Sequence, residues 1–100
     1  MSDIKSEIQH LREKTAHNRR EFLRTEVQAC LITLEMARSG LSGGNISLAQ
    51  KELTIAERGI AVIERLLREA PEERIEIEPK LENLRALLAS VSSDLNTSGS

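Results

Sequence analysis

Glu7-Ile8-Gln9-His10 places a carboxylate and an imidazole three residues apart, the spacing by which helices of di-iron bundles present two ligands from one face. A complete site of that kind needs a second Glu-x-x-His and two further glutamates. The chain has two histidines, His10 and His17, and Glu13 precedes His17 by four residues rather than three. Glu7 and His10 also flank a thin surface stripe, not a core. They read as solvated side chains, and neither a metal site nor a cofactor is expected.

Arg12, Arg19, Arg20 and Arg24, together with His17, form a basic patch midway along the first helical segment. Arg20 and Arg24 are one turn apart, where like charges repel, so an anion is expected beside them. A phosphate would serve. Against that reading, Glu13 and Glu21 are interspersed, and with no Trp, no Tyr and one Phe there is little to stack on bases. The acidic connection EAPEERIEIE, residues 69–78, is the nearer anion once the helices are brought together. The patch is therefore expected to pair within the chain. A nucleic-acid face carried by Arg12, Arg19, Arg20 and Arg24 stays as the alternative.

Nucleophilic chemistry finds no support. The one cysteine, Cys30, lies on an apolar helix face with neither histidine near it in the sequence, and a thiol needs a partner of that kind to be activated. No glycine-rich phosphate-binding motif is present. Gly40, Gly43 and Gly44 belong to a helix stop and turn. No enzyme is expected. A single cysteine points to a reducing compartment. With no leader-like N-terminus and no apolar run of membrane-spanning length, the expected location is the cytoplasm, off the membrane.

The elements that would carry these residues are helices. Leu, Ile, Ala, Glu and Arg dominate, with 39% hydrophobic and 30% charged residues and one aromatic, a composition that suits helices and not strands. The net charge of −2 does not favour a polyanion partner. Ser2 or Asp3 caps helix 1. Ile4, Ile8, Leu11 and Thr15 follow at 4-3-4 spacing as a thin stripe. Val27, Cys30, Leu31, Leu34 and Ala37 make a richer face that Ile32 and Met36 are expected to widen. Gly40, in the left-handed conformation, is expected to end this helix after about 36 residues, roughly 54 Å.

Ser47 with Gln50 reads as a capping box for helix 2. Ile46, Ala49, Leu53, Ala56, Ile60, Ile63 and Leu67 then form its main stripe, flanked by Leu48, Ile55, Val62 and Leu66. Pro71 ends it. Residues 71–78 read equally as loop or helix, and Pro79 is expected in the first turn of helix 3. Ile77, Leu81, Leu84, Leu88, Val91 and Leu95 line that helix.

Gly44, Ile46, Ala49, Leu53 and Ala56 also match a small-and-large pattern that resembles the turn and second helix of a tetratricopeptide repeat, over the 13 residues GNISLAQKELTIA. The aromatic, Leu-Gly and Tyr signature of that family's first helix is absent before the turn, and no second repeat follows. Such arrays need about three units for stability, so no membership follows from the match.

Short connections between three helices predict an all-α, antiparallel, up-down-up bundle. Its first helix is expected to overhang. Residues 1–16 form an association segment, 17–95 the bundle and 96–100 a disordered tail. The function expected is a small protein–protein interaction, adaptor or oligomerisation module. It would form a homodimer, in the manner of a coiled coil, through Ile4, Ile8 and Leu11 of helix 1.

Overall fold

The computed structural model describes the backbone of residues 2–98, with side chains for residue 4 and residues 6–98. The order is α1 (Ser2–Ser42), α2 (Ile46–Glu69), a 3₁₀ turn (Pro71–Glu73) and α3 (Arg74–Ser98). The fold is all-α, three helices with a long first one and no strand among the described residues. The side chains of Ser2 and Asp3, the expected caps of α1, lie outside the described residues.

The predicted stripes make the core, joined by Leu23, which they did not include. Leu23, Val27, Cys30, Leu34 and Ala37 of α1 meet Leu53, Ala56, Ile60, Ile63 and Leu67 of α2 and Ile77, Leu81, Leu84 and Val91 of α3. Neighbours along α1 and α2 run in opposite order: Gly40 lies beside Ala49, and Cys30 beside Ala56 and Gly59. Along α1 and α3 they run in the same order, Arg20 with Glu73 and Arg24 with Glu76. Ile32 and Met36 depart from expectation. They are 49% and 46% exposed, because positions 32 and 36 fall on the side of α1 turned away from Leu34 and Ala37.

Three boundaries are corrected. First, α1 does not stop at Gly40. It continues to Ser42, and the left-handed residue is Gly44, at φ 79°. Gly40 serves close packing instead: a Cβ there would sit 3.4 Å from the Asn45 carbonyl oxygen and 3.5 Å from the Ala49 nitrogen. Second, Asn45, not Ser47, caps α2, its Oδ1 accepting from the Leu48 N–H at 3.1 Å. Asn45 directly precedes the first apolar residue of the helix, and its amide also donates to the Gly40 carbonyl at 2.7 Å. Third, Pro79 lies inside α3, not in its first turn. Pro71 is the proline that opens a helical segment. The carbonyl that Pro79 leaves without a helical donor is that of Ile75, a residue 92% exposed, so solvent can take the bond. The tail is shorter than expected too: residues 96–98 are helical, exposed continuations of α3.

The overhang is present. Described side chains before residue 16 are all exposed, and Ala16 is the first that is half-buried. The radius of gyration is 17.8 Å, against about 13 Å for a compact chain of this length. The longest dimension, 68 Å, is set by α1, whose 41 residues span about 61 Å. Ile4, Ile8 and Leu11 are 63%, 46% and 61% exposed.

Where α1 crosses α2 the backbones come close. Cys30 is 3% exposed, and its thiol points at the Ala56 carbonyl, 4.0 Å away. A Cβ on Gly59 would collide with Cys30 Sγ, with no other heavy atom nearer than Glu26 Oε2 at 4.0 Å. Gly59→Ala therefore sets an overpacking cost of about 1–3 kcal/mol against a helix-propensity gain of about 1 kcal/mol. Chemical denaturation should show Gly59→Ala destabilising the wild-type chain and stabilising a Cys30→Ala chain. Equal effects in both backgrounds would mean that the thiol is not what requires glycine.

Candidate functional site

Three of the four arginines of the basic patch are held by the acidic connection. The 3₁₀ turn presents Glu72 and Glu73 side by side, opposite the adjacent pair Arg19 and Arg20. Arg19 Nη1 donates to Glu72 Oε1 at 3.2 Å. Arg20 grips Glu73 through two nitrogens on one edge of its guanidinium, Nε to Oε2 at 3.0 Å and Nη2 to Oε1 at 3.3 Å. One turn on, Arg24 makes the same two-point contact with Glu76 at 2.7 and 2.5 Å, and its remaining nitrogen reaches Glu21 at 2.7 Å. Arg20 and Arg24 thus tolerate each other because a carboxylate sits against each.

These pairs differ in environment. The Glu73 side chain is 4% exposed against 59% for Glu72. Removing the partner of a buried carboxylate costs far more than opening a solvated pair. Hydrogen bonding to Glu73 raises the already high pKa of Arg20, and hydrogen bonding to Glu76 does the same for Arg24. In return the hydrogen bond from Arg24 pulls the Glu76 carboxyl below its ordinary 4.5.

Arg12 stands apart. It is exposed and has no ion pair among the described residues. Together with Ile8, Leu11, Thr15, Ala16, Arg19 and Glu72 it lines a shallow groove of about 430 Å³ where the overhang joins the bundle. Ile4, Ile8 and Leu11 lie along this arm without burial. A second crevice, between α1 and α3, measures about 270 Å³ and is lined by Arg24, Val27, Gln28, Leu31, Lys80, Asn83 and Leu84. That is below the range of about 300–1,000 Å³ typical of small-molecule sites, and its lining offers no nucleophile and no pair of acids.

His10 and His17 are exposed on the arm. Among the described residues no three His, Cys, Asp or Glu side chains converge as metal ligands would. Burial, and then the charge of Glu26, push the Cys30 thiol up, the opposite of the shift a nucleophile needs. No described helix is long and apolar enough to cross a membrane. The exposed Phe22, 48% accessible, was assigned no role by the sequence patterns above. Comparison with protein-family models, with curated proteins and with solved structures gives no match to this chain.

Two outcomes are expected from the clasp. Arg20→Gln should lower the melting temperature clearly more than Arg19→Gln, because only the former strands a buried carboxylate. Equal effects would show that Glu73 finds another partner. The second concerns acid. A carboxyl with a lowered folded pKa contributes stability that is complete above its unfolded value and lost as pH falls through the folded one. Wild type should therefore lose stability on acidification more steeply than Glu76→Gln. Parallel acid limbs for the two would detach Glu76 from the acid response.

Proposed function

We propose that this chain is a small helical association module that self-associates through the N-terminal arm of α1, with Ile4, Ile8 and Leu11 in the contact. The observation that supports it is the arm itself: apolar residues at helical spacing, 46–63% exposed, on a segment whose described side chains before residue 16 are all exposed. An isolated helix of about 15 residues is marginal in water. Covering its apolar stripe would supply what the bundle does not. Pairing of like with like is the commonest route to association among soluble chains.

The nucleic-acid alternative loses support, since Arg19, Arg20 and Arg24 already hold carboxylates and would have to exchange them for phosphates. No catalytic role and no cofactor is proposed. A single buried thiol suits a reducing cytoplasm, and we place the module there.

The test is solution mass. Wild type should sediment at twice the 11.2 kDa of the chain at micromolar concentration. Replacing Ile4, Ile8 and Leu11 with Ser should return it to the monomer while the bundle melts at nearly the same temperature. A wild type that stays monomeric at every accessible concentration, with free amide exchange along the arm, would end the proposal.

A further inference from the structure

The stripe of the arm does not stop where the bundle begins. From Ile4 it steps by four and three, alternately, through Ile8, Leu11 and Thr15. The same alternation continues without a break through Asn18, Phe22, Thr25, Ala29, Ile32 and Met36. Every one of these residues is exposed. A 4-3 alternation averages 3.5 residues, the repeat that keeps one face of a helix against a partner helix. The core of the bundle uses another face of α1, that of Leu23, Val27, Cys30 and Leu34. Helix α1 therefore carries, besides its core face, an exposed outer face that is apolar at Ile4, Ile8 and Leu11, at Phe22 and at Ala29, Ile32 and Met36, with Thr15, Asn18 and Thr25 between them.

Area decides how much of the second face a partner must cover. From Ile4 to Leu11 the helix advances about 12 Å, and a contact strip about 10 Å wide gives roughly 120 Å² on each copy. Two such strips fall far below the ~1,000 Å² that a specific interface needs. From Ile4 to Met36 the advance is about 50 Å, or about 500 Å² on each copy. That reaches the threshold. The arm alone is too short to hold a dimer, and the whole face is long enough.

We infer that a second copy of this chain lies antiparallel along the outer face of α1 from Ile4 to Met36, so that each arm covers the Ala29–Ile32–Met36 patch of the other. This rests on the self-association proposed above and extends it from three residues to the full helix. The 4-3 pattern is symmetric about residue 20, so reversal superposes it on itself. Ile4 then meets Met36 of the second copy, Ile8 meets Ile32 and Leu11 meets Ala29.

Charge favours the reversed direction. Arg12, exposed and without an ion pair among the described residues, comes opposite the half-buried Glu26 of the second copy, which has none among them either. The like pair Glu7 and Glu35 falls near the ends of the contact, and the self-facing Arg19 and Glu21 are already neutralised by Glu72 and Arg24. A parallel, in-register pair would set Glu7 against Arg12 but also Lys14 against Arg19 and Glu21 against Glu26, two repulsive contacts for one attractive. Thr15 fits the face without an unmet donor, because its hydroxyl donates to the Leu11 carbonyl at 2.8 Å.

The test leaves the arm intact. Phe22→Gln, Ile32→Gln and Met36→Gln together place a residue of equal or higher helix propensity at each position, and should halve the solution mass of the full chain. In wild type, peroxide oxidation of Met36 should slow several-fold as concentration is raised through the dimerisation range, a readout that needs no variant. Ile8→Cys and Ile32→Cys chains, mixed under mild oxidation, should form a mixed disulfide, and neither should cross-link alone. A dimer that survives the triple Gln variant, yet is lost with Ile4, Ile8 and Leu11 as Ser, would overturn the extended face and leave the arm reading intact. So would Met36 oxidation that ignores dimerisation. Cross-linking of each cysteine chain with itself would overturn the antiparallel direction, and a monomeric wild type would overturn both readings.

Discussion

The Arg20–Glu73 pair fixes where the bundle stops and the arm begins. Glu73 is almost fully buried, and both oxygens of its carboxylate accept from one guanidinium. Sliding the connection one turn toward the arm would set Glu73 beside Ala16 and leave that carboxylate unpaired in a place water barely reaches, a penalty far above the worth of any solvated ion pair. Arg19 and Arg24 then find Glu72 and Glu76 at the same register. Because α2 and α3 have 24 and 25 residues and α1 has 41, locking the connection beside residues 19–24 leaves the first four turns of α1 outside. The arm follows from this one register.

Elsewhere, at the turn and at mid-bundle, packing works through absence of side chains. Gly40 lets the turn fold tightly against the first turn of α2, and Gly59 makes room for a thiol at the crossing of α1 and α2. Glycine in a helix interior is unfavourable by about 1 kcal/mol relative to alanine. Two such residues within α1 and α2 are intelligible only from what they let approach. Bulk is concentrated in Leu23, Leu34, Ile63, Leu67, Ile77 and Leu81, all under 2% exposed. The ends of the bundle are thus held by an ion pair and a close turn, and the middle by branched aliphatic side chains.

Patterns of sequence gave the stripes of α2 and α3 almost intact, because each of those helices buries one face and its apolar spacing has one meaning. The pairing of the arginines with the acidic connection could be read as well, since it needs only the helix lengths and the position of the turn. Gly40, Ser47 and Pro79 misled for a common reason: each residue type has two uses, and choosing between them depends on atoms brought in by the fold. Gly40 served approach and not a left-handed turn, and Asn45 stands directly before α2 while Ser47 is already inside it. Pro79 came after a helical turn that Pro71 had already started. Helix α1 was the hardest part because it carries a partly apolar outer face besides its core face. Ile32 and Met36 belong to the outer one, yet they lie close enough in sequence to Leu31, Leu34 and Ala37 to be counted with the core. The unbroken 4-3 alternation from Ile4 would have separated them.

The sealed position of Cys30 has a practical consequence. Its sulfur lies against Gly59 between the two helices, so a thiol reagent reaches it only when α1 and α2 part. The chain has no second cysteine, so the rate at which label appears measures a single event. When opening and closing are fast relative to the chemistry, that rate gives the free energy of separating this helix pair, a quantity that melting curves merge with the stability of the whole bundle. The molecule carries its own gauge of how often its two longest-contacting helices come apart.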